Sequence, residues 1–141
     1  MAEFEIILNT DSVKASLAGT IEGYKDRVKP GARTAGRIIQ ADAKRRAPYK
    51  TGTLRRSIKS RVIEQGDEVV VQVGTNVHYA IHVEYGHRTR AGTGKKASQL
   101  INKKGKPVVR YVPGVFFLHN AFTAKRQAAT GAIVAALQKG E

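Results

Sequence analysis

His78, His82, Glu84 and His87 fall within one short stretch, NVHYAIHVEYGH, and their side chains are the best placed in this chain for metal or acid–base chemistry. On a helix His78 and His82 would share a face, a spacing that can hold zinc. On a strand they would still share a face but stand further apart. The zinc-protease arrangement His-Glu-x-x-His is not met, because no Glu follows His78 directly. Acid–base catalysis generally wants opposed groups in a pocket, and Glu84 is the one acid among these rings. The residues therefore read better as two partly exposed histidines beside an interface, with Glu84 as a salt-bridge partner for an arginine of this chain or of a neighbour.

Other chemistry fares worse. Gly92-Thr93-Gly94-Lys95-Lys96 superficially resembles a phosphate loop. A P-loop needs Gly-x-x-x-x-Gly-Lys-Ser/Thr between a strand and a helix. Here Thr89 stands where the first glycine belongs, Lys96 replaces the hydroxyl residue, and no apolar strand leads in. There is no Gly-x-Ser-x-Gly elbow and no cysteine, which removes thiol nucleophiles and disulfide frameworks. The expectation is a protein that is not an enzyme and uses no cofactor or metal.

Charge is the strongest signal. Lys and Arg number 25 against 11 Asp and Glu, a net charge of +14. Lys44, Arg45, Arg46, Lys50, Arg55, Arg56, Lys59 and Arg61 follow one another with no acid between them. So do Arg88, Arg90, Lys95, Lys96, Lys103, Lys104, Lys106 and Arg110, which leaves the rest of the chain slightly acidic. Charge gathered in this way draws polyanions or acidic protein surfaces. Phosphate backbones would bind with an affinity that falls steeply with salt. No zinc-finger spacing, RNA-recognition aromatic cluster or helix-turn-helix accompanies the cations, and aromatics for stacking single strands are scarce among them. Non-specific backbone contact is the most that charge alone supports.

The elements that position these groups can be read from periodicity. The 141 residues suit one domain, long enough to bury about two thirds of the unfolded chain's surface. Phe4, Ile6 and Leu8 alternate as a short strand, and Asn9-Thr10-Asp11-Ser12 offers N-cap side chains. The acids of MAEFEIIL are wrong for a signal peptide, and no apolar run approaches the ~18–20 residues of a membrane span; a soluble, unexported protein is expected. Val13, Leu17, Ile21, Tyr24, Val28, Ala32, Ala35, Ile39 and Ala43 recur at helical steps, until Pro48 ends the helix. Unbroken from Ser12 to Arg46, that helix would be on the order of 50 Å long, against a radius of gyration of roughly 14 Å for such a domain. A kink or break is therefore expected at Lys29 to Gly31, beside Pro30.

Ser57 to Gln65 and Glu68 to Gly74 form a hairpin about Gln65-Gly66-Asp67. Asn76 to Tyr85 reads as a helical turn with Asn76 as its cap, ended by Gly86, or as a strand. A polar, basic loop at about 87–107 exceeds ordinary connections and should be functional or mobile. Val108 to Val112 is a last strand. Phe116 to Lys139 is a second long helix, with Phe117, Ala121, Ala124 and Ala128 and Phe122, Ala129, Ile133 and Leu137 on its apolar side. The order predicts an α+β domain: a small antiparallel sheet packed by a long kinked N-terminal helix and a C-terminal helix.

Between the first helix and the hairpin lies APYKTGTLRRSI, residues 47–58. Pro48 stops the helix, and Gly52 supplies a permissive backbone dihedral. Leu54 anchors the corner, and the hydroxyls of Thr51 and Thr53 can satisfy loose backbone groups. Arg55 and Arg56 should point to opposite sides as the strand begins, so that one faces a neighbouring subunit. The corner is expected to be a rigid joint.

Three blocks, taken in order, resemble the tail-component family of long-tailed bacteriophages: Ala41 to Ile58, His78 to Gly86 (HYAIHVEYG) and Pro113 to Ala121 (PGVFFLHNA). That family's pattern is an alanine-rich helix ending in Ala-Pro, a Thr-Gly-x-Leu-Arg corner, Tyr-Ala-x-x-Val-Glu-x-Gly, then an aromatic-led C-terminal helix. The resemblance spans roughly residues 35 to 125. His87 stands where a small hydroxyl residue is usual, and Asn120 where a proline is common. The resemblance implies a structural virion protein of the neck, made in the host cytoplasm. It would be a ring-forming head–tail connector or tail-completion protein, a homo-oligomer meeting other neck, connector and tail-terminator proteins. It implies no catalysis and no cofactor. On this reading the corner residues Pro48, Thr51, Gly52, Leu54, Glu84 and Gly86 are structural. Arg55, Arg56 and the loop cations Arg88, Arg90, Lys95, Lys96, Lys103, Lys104 and Lys106 would meet partner proteins or double-stranded DNA. The alternative is a free-standing protein that binds nucleic acid non-specifically.

Overall fold

A computed structural model describes residues 2–7, 21–66, 68–88 and 111–139. Along the chain run β1 (Ala2–Ile7), α1 (Ile21–Arg46), α2 (Thr53–Ser57), β2 (Lys59–Gln65), β3 (Glu68–Thr75), α3 (Ala80–Tyr85), β4 (Gly86–Arg88), β5 (Tyr111–Pro113) and α4 (Phe117–Gln138). The class is α+β, with a small antiparallel sheet packed by the two long helices. The expected cap at residues 9–12 and the helix start at Ser12 lie outside the described residues.

β3 is the centre of a three-stranded sheet of order β1-β3-β2, antiparallel on both sides. Its valines explain that position. Val69, Val71 and Val73 alternate onto the helix side and join the core, while Val70 and Gln72 on the other face are also buried. Branched side chains suit a strand covered on both sides. Gly66 takes a positive φ of 57° at the β2–β3 turn, a conformation that costs glycine little.

The stripe Tyr24, Val28, Ala32, Ala35, Ile39 and Ala43 is buried as its period requires, and α1 lays it against β3 and α4. The chain does not break at Lys29 to Gly31, because α1 is one continuous helix through Pro30. The proline sacrifices one backbone bond, and the Thr34 hydroxyl donates to the Pro30 carbonyl at 3.1 Å. Gly31 is where α4 crosses. A Cβ there would lie 2.8 Å from Ala136 Cβ and 2.8 Å from the Ile133 backbone. The Pro-Gly pair thus marks a close helix crossing.

Five further expectations change. Thr53–Ser57 is a helical turn, so β2 starts at Lys59 and Arg55 and Arg56 do not begin a strand. Asn76 does not cap α3; Tyr79 holds the N-cap position, and the preceding turn is tied by Val77 N–H donating to Thr75 Oγ1 at 3.2 Å. The basic loop cannot begin at His87, because Gly86–Arg88 is a strand paired with Tyr111–Pro113. That last strand accordingly sits in a separate two-stranded sheet. On α4, Phe117, Leu118, Ala121, Ala129 and Ile133 are buried, but Ala124 and Ala128 face outward, because the side of α4 that meets α1 is the one carrying Ile133 and Ala136.

Candidate interaction surface

The corner after α1 is held from both ends. Ala47 N–H extends the helical bonding to the Ala43 carbonyl at 2.9 Å. Gly52 then takes φ 76° and ψ −5° ahead of α2, and Leu54 plugs into the core. Arg55 does not reach outward freely. Its Nε donates to the Ala47 carbonyl at 2.8 Å, and its guanidinium lies 5.1 Å over the Tyr49 ring. The Ser57 hydroxyl donates to the Leu54 carbonyl at 2.7 Å and lies 2.6 Å from Thr75 Oγ1, which bolts the corner to the end of β3. Thr51 and Thr53 bond chiefly to each other, hydroxyl to hydroxyl at 3.0 Å, with Thr53 N–H at 3.5 Å from Thr51 Oγ1.

Cations crowd this joint. Lys44, Arg45, Arg55 and Arg56 line one shallow depression. Asp42 anchors the helix side of it. Its buried carboxylate accepts Arg46 Nε at 2.6 Å and a second bond from Arg45. Burial alone would raise its pKa; the two guanidinium bonds outweigh that and hold the carboxyl below its ordinary range. Sequence reading passed over Asp42, although an acid three and four residues before two arginines on a helix is a legible pairing signal.

The second and third sequence blocks meet through Glu84. This residue is fully buried, and its carboxylate accepts Leu118 N–H at 3.0 Å and His119 N–H at 2.9 Å. These are unpaired donors of the first turn of α4, and a carboxylate there also meets the positive end of the helix dipole. Glu84 is therefore a helix cap, not the partner of an arginine. Backbone bonds reinforce the joint: Val115 N–H to the Val83 carbonyl at 2.8 Å and Phe116 N–H to the Glu84 carbonyl at 3.1 Å. Gly86, at φ 85°, permits the close approach, since a Cβ there would lie 2.5 Å from the Val112 carbonyl oxygen. Phe116 is held in the left-handed region at φ 52° and packs edge-on to Tyr85.

The histidines do not converge on Glu84. His78, His82 and His87 are exposed, with the His82 and His87 rings 5.5 Å apart. Among the described residues no group of three His, Asp or Glu side chains is arranged to hold a metal, and no helix is long and apolar enough to cross a membrane. Of the expected contact residues, Arg56 and Arg88 are exposed and Arg55 is half-buried. Arg90, Lys95, Lys96, Lys103, Lys104 and Lys106 lie outside the described residues. Two exposed arginines missed from the sequence, Arg33 and Arg37, flank β2 from α1; their i, i+4 spacing away from the apolar stripe was the available signal.

The arrangement thus joins two rigid corners at the open end of the hairpin, where β2 begins and β3 ends, and presents cations on their outer surface. No curated protein and no solved structure matches the chain. A family model described as "Bacteriophage HK97-gp10, putative tail-component" matches residues 13–86. That stretch contains α1, the Thr-Gly-x-Leu-Arg corner, the hairpin and the Glu84 block, and ends where Gly86 turns the chain. It covers more than half of the sequence, and the chain belongs to this HK97-gp10-like family of bacteriophage tail components.

Proposed function

We propose that this protein is a structural component of the phage neck, a ring-forming head–tail connector or tail-completion protein that joins tail to capsid around the DNA channel. The observation that carries the reading is the basic corner. Lys44, Arg45, Arg55 and Arg56 share one face of a joint braced by Leu54, Ser57 and Thr75. A rigid, cationic, outward-facing joint suits docking to acidic surfaces of neighbouring subunits or connectors. Membership of a tail-component family supports a role in virion assembly, and the full burial of Glu84 takes the one acid near the histidines away from any substrate.

In this role the cations Arg88, Arg90, Lys95, Lys96, Lys103, Lys104 and Lys106 reach an adjacent ring or line the channel. Alanine at Lys95, Lys96, Lys103 and Lys104 should leave the domain folded and lower the yield of joined, infectious particles. A separate variant with Arg56→Glu and Lys44→Glu tests the corner in the same assay. Normal joining with both variants contradicts the reading.

The net charge of +14 also favours a second reading, a free-standing protein that binds double-stranded DNA through its backbone. Gel filtration in high salt followed by DNA titration across a salt series separates the two. A stable high-order ring with weak DNA affinity fits the neck role. A monomer with strong, salt-steep binding, together with normal particle joining by the variants, fits the other.

A further inference from the structure

β2 is an outer strand of the three-stranded sheet. Its register places Gln65 opposite Glu68 across a two-residue turn. Hydrogen-bonded pairs alternate along an antiparallel ladder. Counting back from that turn, Gln65, Ile63, Arg61 and Lys59 exchange bonds with β3, while Glu64, Val62 and Ser60 turn their N–H and C=O groups away from it. The same alternation turns out the Ile58 carbonyl, which accepts Gln40 Nε2 from α1 at 2.8 Å. At the other end Glu64 is tied to Lys29 Nζ at 2.7 Å. Between these two ties, the outward main-chain groups of Ser60 and Val62 have no partner among the described residues.

This open length of strand is one wall of a groove. Gly36 brings α1 close beside it, since a Cβ there would lie 3.0 Å from Val71 Cγ1 and 3.1 Å from Ser60 Cβ. The groove holds about 230 Å³ and has Arg33 and Arg37 on its helix side. Both are exposed, and no carboxylate among the described residues pairs with either. On the other face of β2, Lys59 and Arg61 are exposed as well.

We propose that this groove receives an extended acidic segment of another protein as an added strand on β2, its main chain bonded to Ser60 and Val62 and its carboxylates held by Arg33 and Arg37. Strand addition to an open edge takes affinity from main-chain bonds and specificity from the flanking side chains. The charges choose the occupant. A second copy of β2 would set Lys59 and Arg61 against their own kind, which disfavours edge-to-edge pairing. An acidic strand finds Arg33 and Arg37 on one face and Lys59 on the other. A nucleic acid could use the arginines, but it would leave the outward N–H and C=O groups unmatched and bring phosphates against carbonyl oxygens. The inference is independent of the ring and of the basic corner, so its failure would leave the neck reading standing.

The test uses the full chain and a labelled peptide of alternating Glu and Val, with three comparison probes: the same peptide carrying Lys for Glu, the Glu–Val peptide N-methylated at alternate residues, and a DNA duplex. Fluorescence anisotropy reads binding, and hydrogen exchange reads the amides of Ser60 and Val62. The expected result is binding of the Glu–Val peptide with slowed exchange at those two amides. Arg33→Glu with Arg37→Glu should weaken it about tenfold or more, since each removes a charge-assisted bond. Val62→Pro should abolish it, an outer strand tolerating proline where the lost N–H faces away from the sheet; its melting curve checks the fold. The proposal is overturned if the N-methylated or Lys peptide binds as well as the Glu–Val peptide. It is equally overturned if the arginine variant binds unchanged, or if only the duplex binds.

Discussion

Glu84 and Leu118 stand 34 residues apart in the chain, and the Glu84 carboxylate accepts the Leu118 N–H at 3.0 Å. The second oxygen takes His119 N–H at 2.9 Å. One buried acid thereby closes the N-terminus of α4 onto the end of α3. The carboxylate cannot be spared for catalysis or for a partner without opening the helix start, and this turns an apparent active-site acid into a structural clamp.

Replacing Glu84 with Gln should therefore destabilise the fold by about 1.5–3 kcal/mol, the usual worth of hydrogen bonds to a charged group. Gln keeps one acceptor oxygen but sets an NH2 against the other backbone donor. Glu84→Ala should cost more, because two buried N–H groups lose their acceptor and a cavity opens. Urea denaturation of the two variants beside the parent checks the order. Equal stability of Glu84→Gln and the parent would refute the clamp.

Two glycines should respond with opposite sign. A Cβ at Gly114 would run into the Glu84 carbonyl oxygen and lie 2.6 Å from the Tyr85 carbonyl carbon, both backbone atoms that cannot swing aside. Gly114→Ala should lower stability by about 1–3 kcal/mol, as overpacking does. Gly131 lies exposed within α4, with nothing within 4 Å of an added Cβ. Gly131→Ala should raise stability by about 0.5–1 kcal/mol through helix propensity. Thermal melts of the two variants decide both signs.

How far the sequence revealed this architecture depends on the range of each interaction. The α1 stripe, the hairpin and the Gly52 corner were legible because period, turn residues and a proline act locally. The role of Glu84 was not, since its partners are backbone donors of a distant helix and carry no residue signature. At Pro30-Gly31 the local rule predicts a kink or a break; the break does not occur, because the helix runs on through Pro30 while the close approach of α4 makes the glycine useful. Arg55 and Arg56 were misplaced because five helical residues between a loop and a strand show no period. Ala124 and Ala128 read as core because alanine suits both a close crossing and a bare helix face.

The hold of Arg55 on the corner gives a prediction separable from charge. Lysine keeps the positive charge but has no Nε–H fork to reach the Ala47 carbonyl and stacks less well on Tyr49. Arg55→Lys should cost about 1 kcal/mol and increase hydrogen exchange at residues 49–53. Tyr49→Ala should produce part of the same loss, and the double variant less than the sum of the two. An additive double variant would mean that the ring and the guanidinium do not act together.

Asp42 makes the helix end sensitive to acid. Its folded pKa lies below the ordinary value of 3.8, because the bonds from Arg46 and Arg45 outweigh the cost of burial. A carboxyl depressed on folding adds stability that is fully present above its unfolded value and disappears as pH falls through the folded one. The arginines are exposed, at 70% and 41%, so solvent screens the pairs and the contribution at neutral pH should be only about 1–2 kcal/mol. Asp42→Asn should accordingly be less stable than the parent at pH 7, and the gap should narrow once pH falls below about 3.8. Stability curves from pH 2 to pH 7 for both proteins test the sign. A gap that stays constant through that window would assign the loss to packing around Asp42, not to its charge.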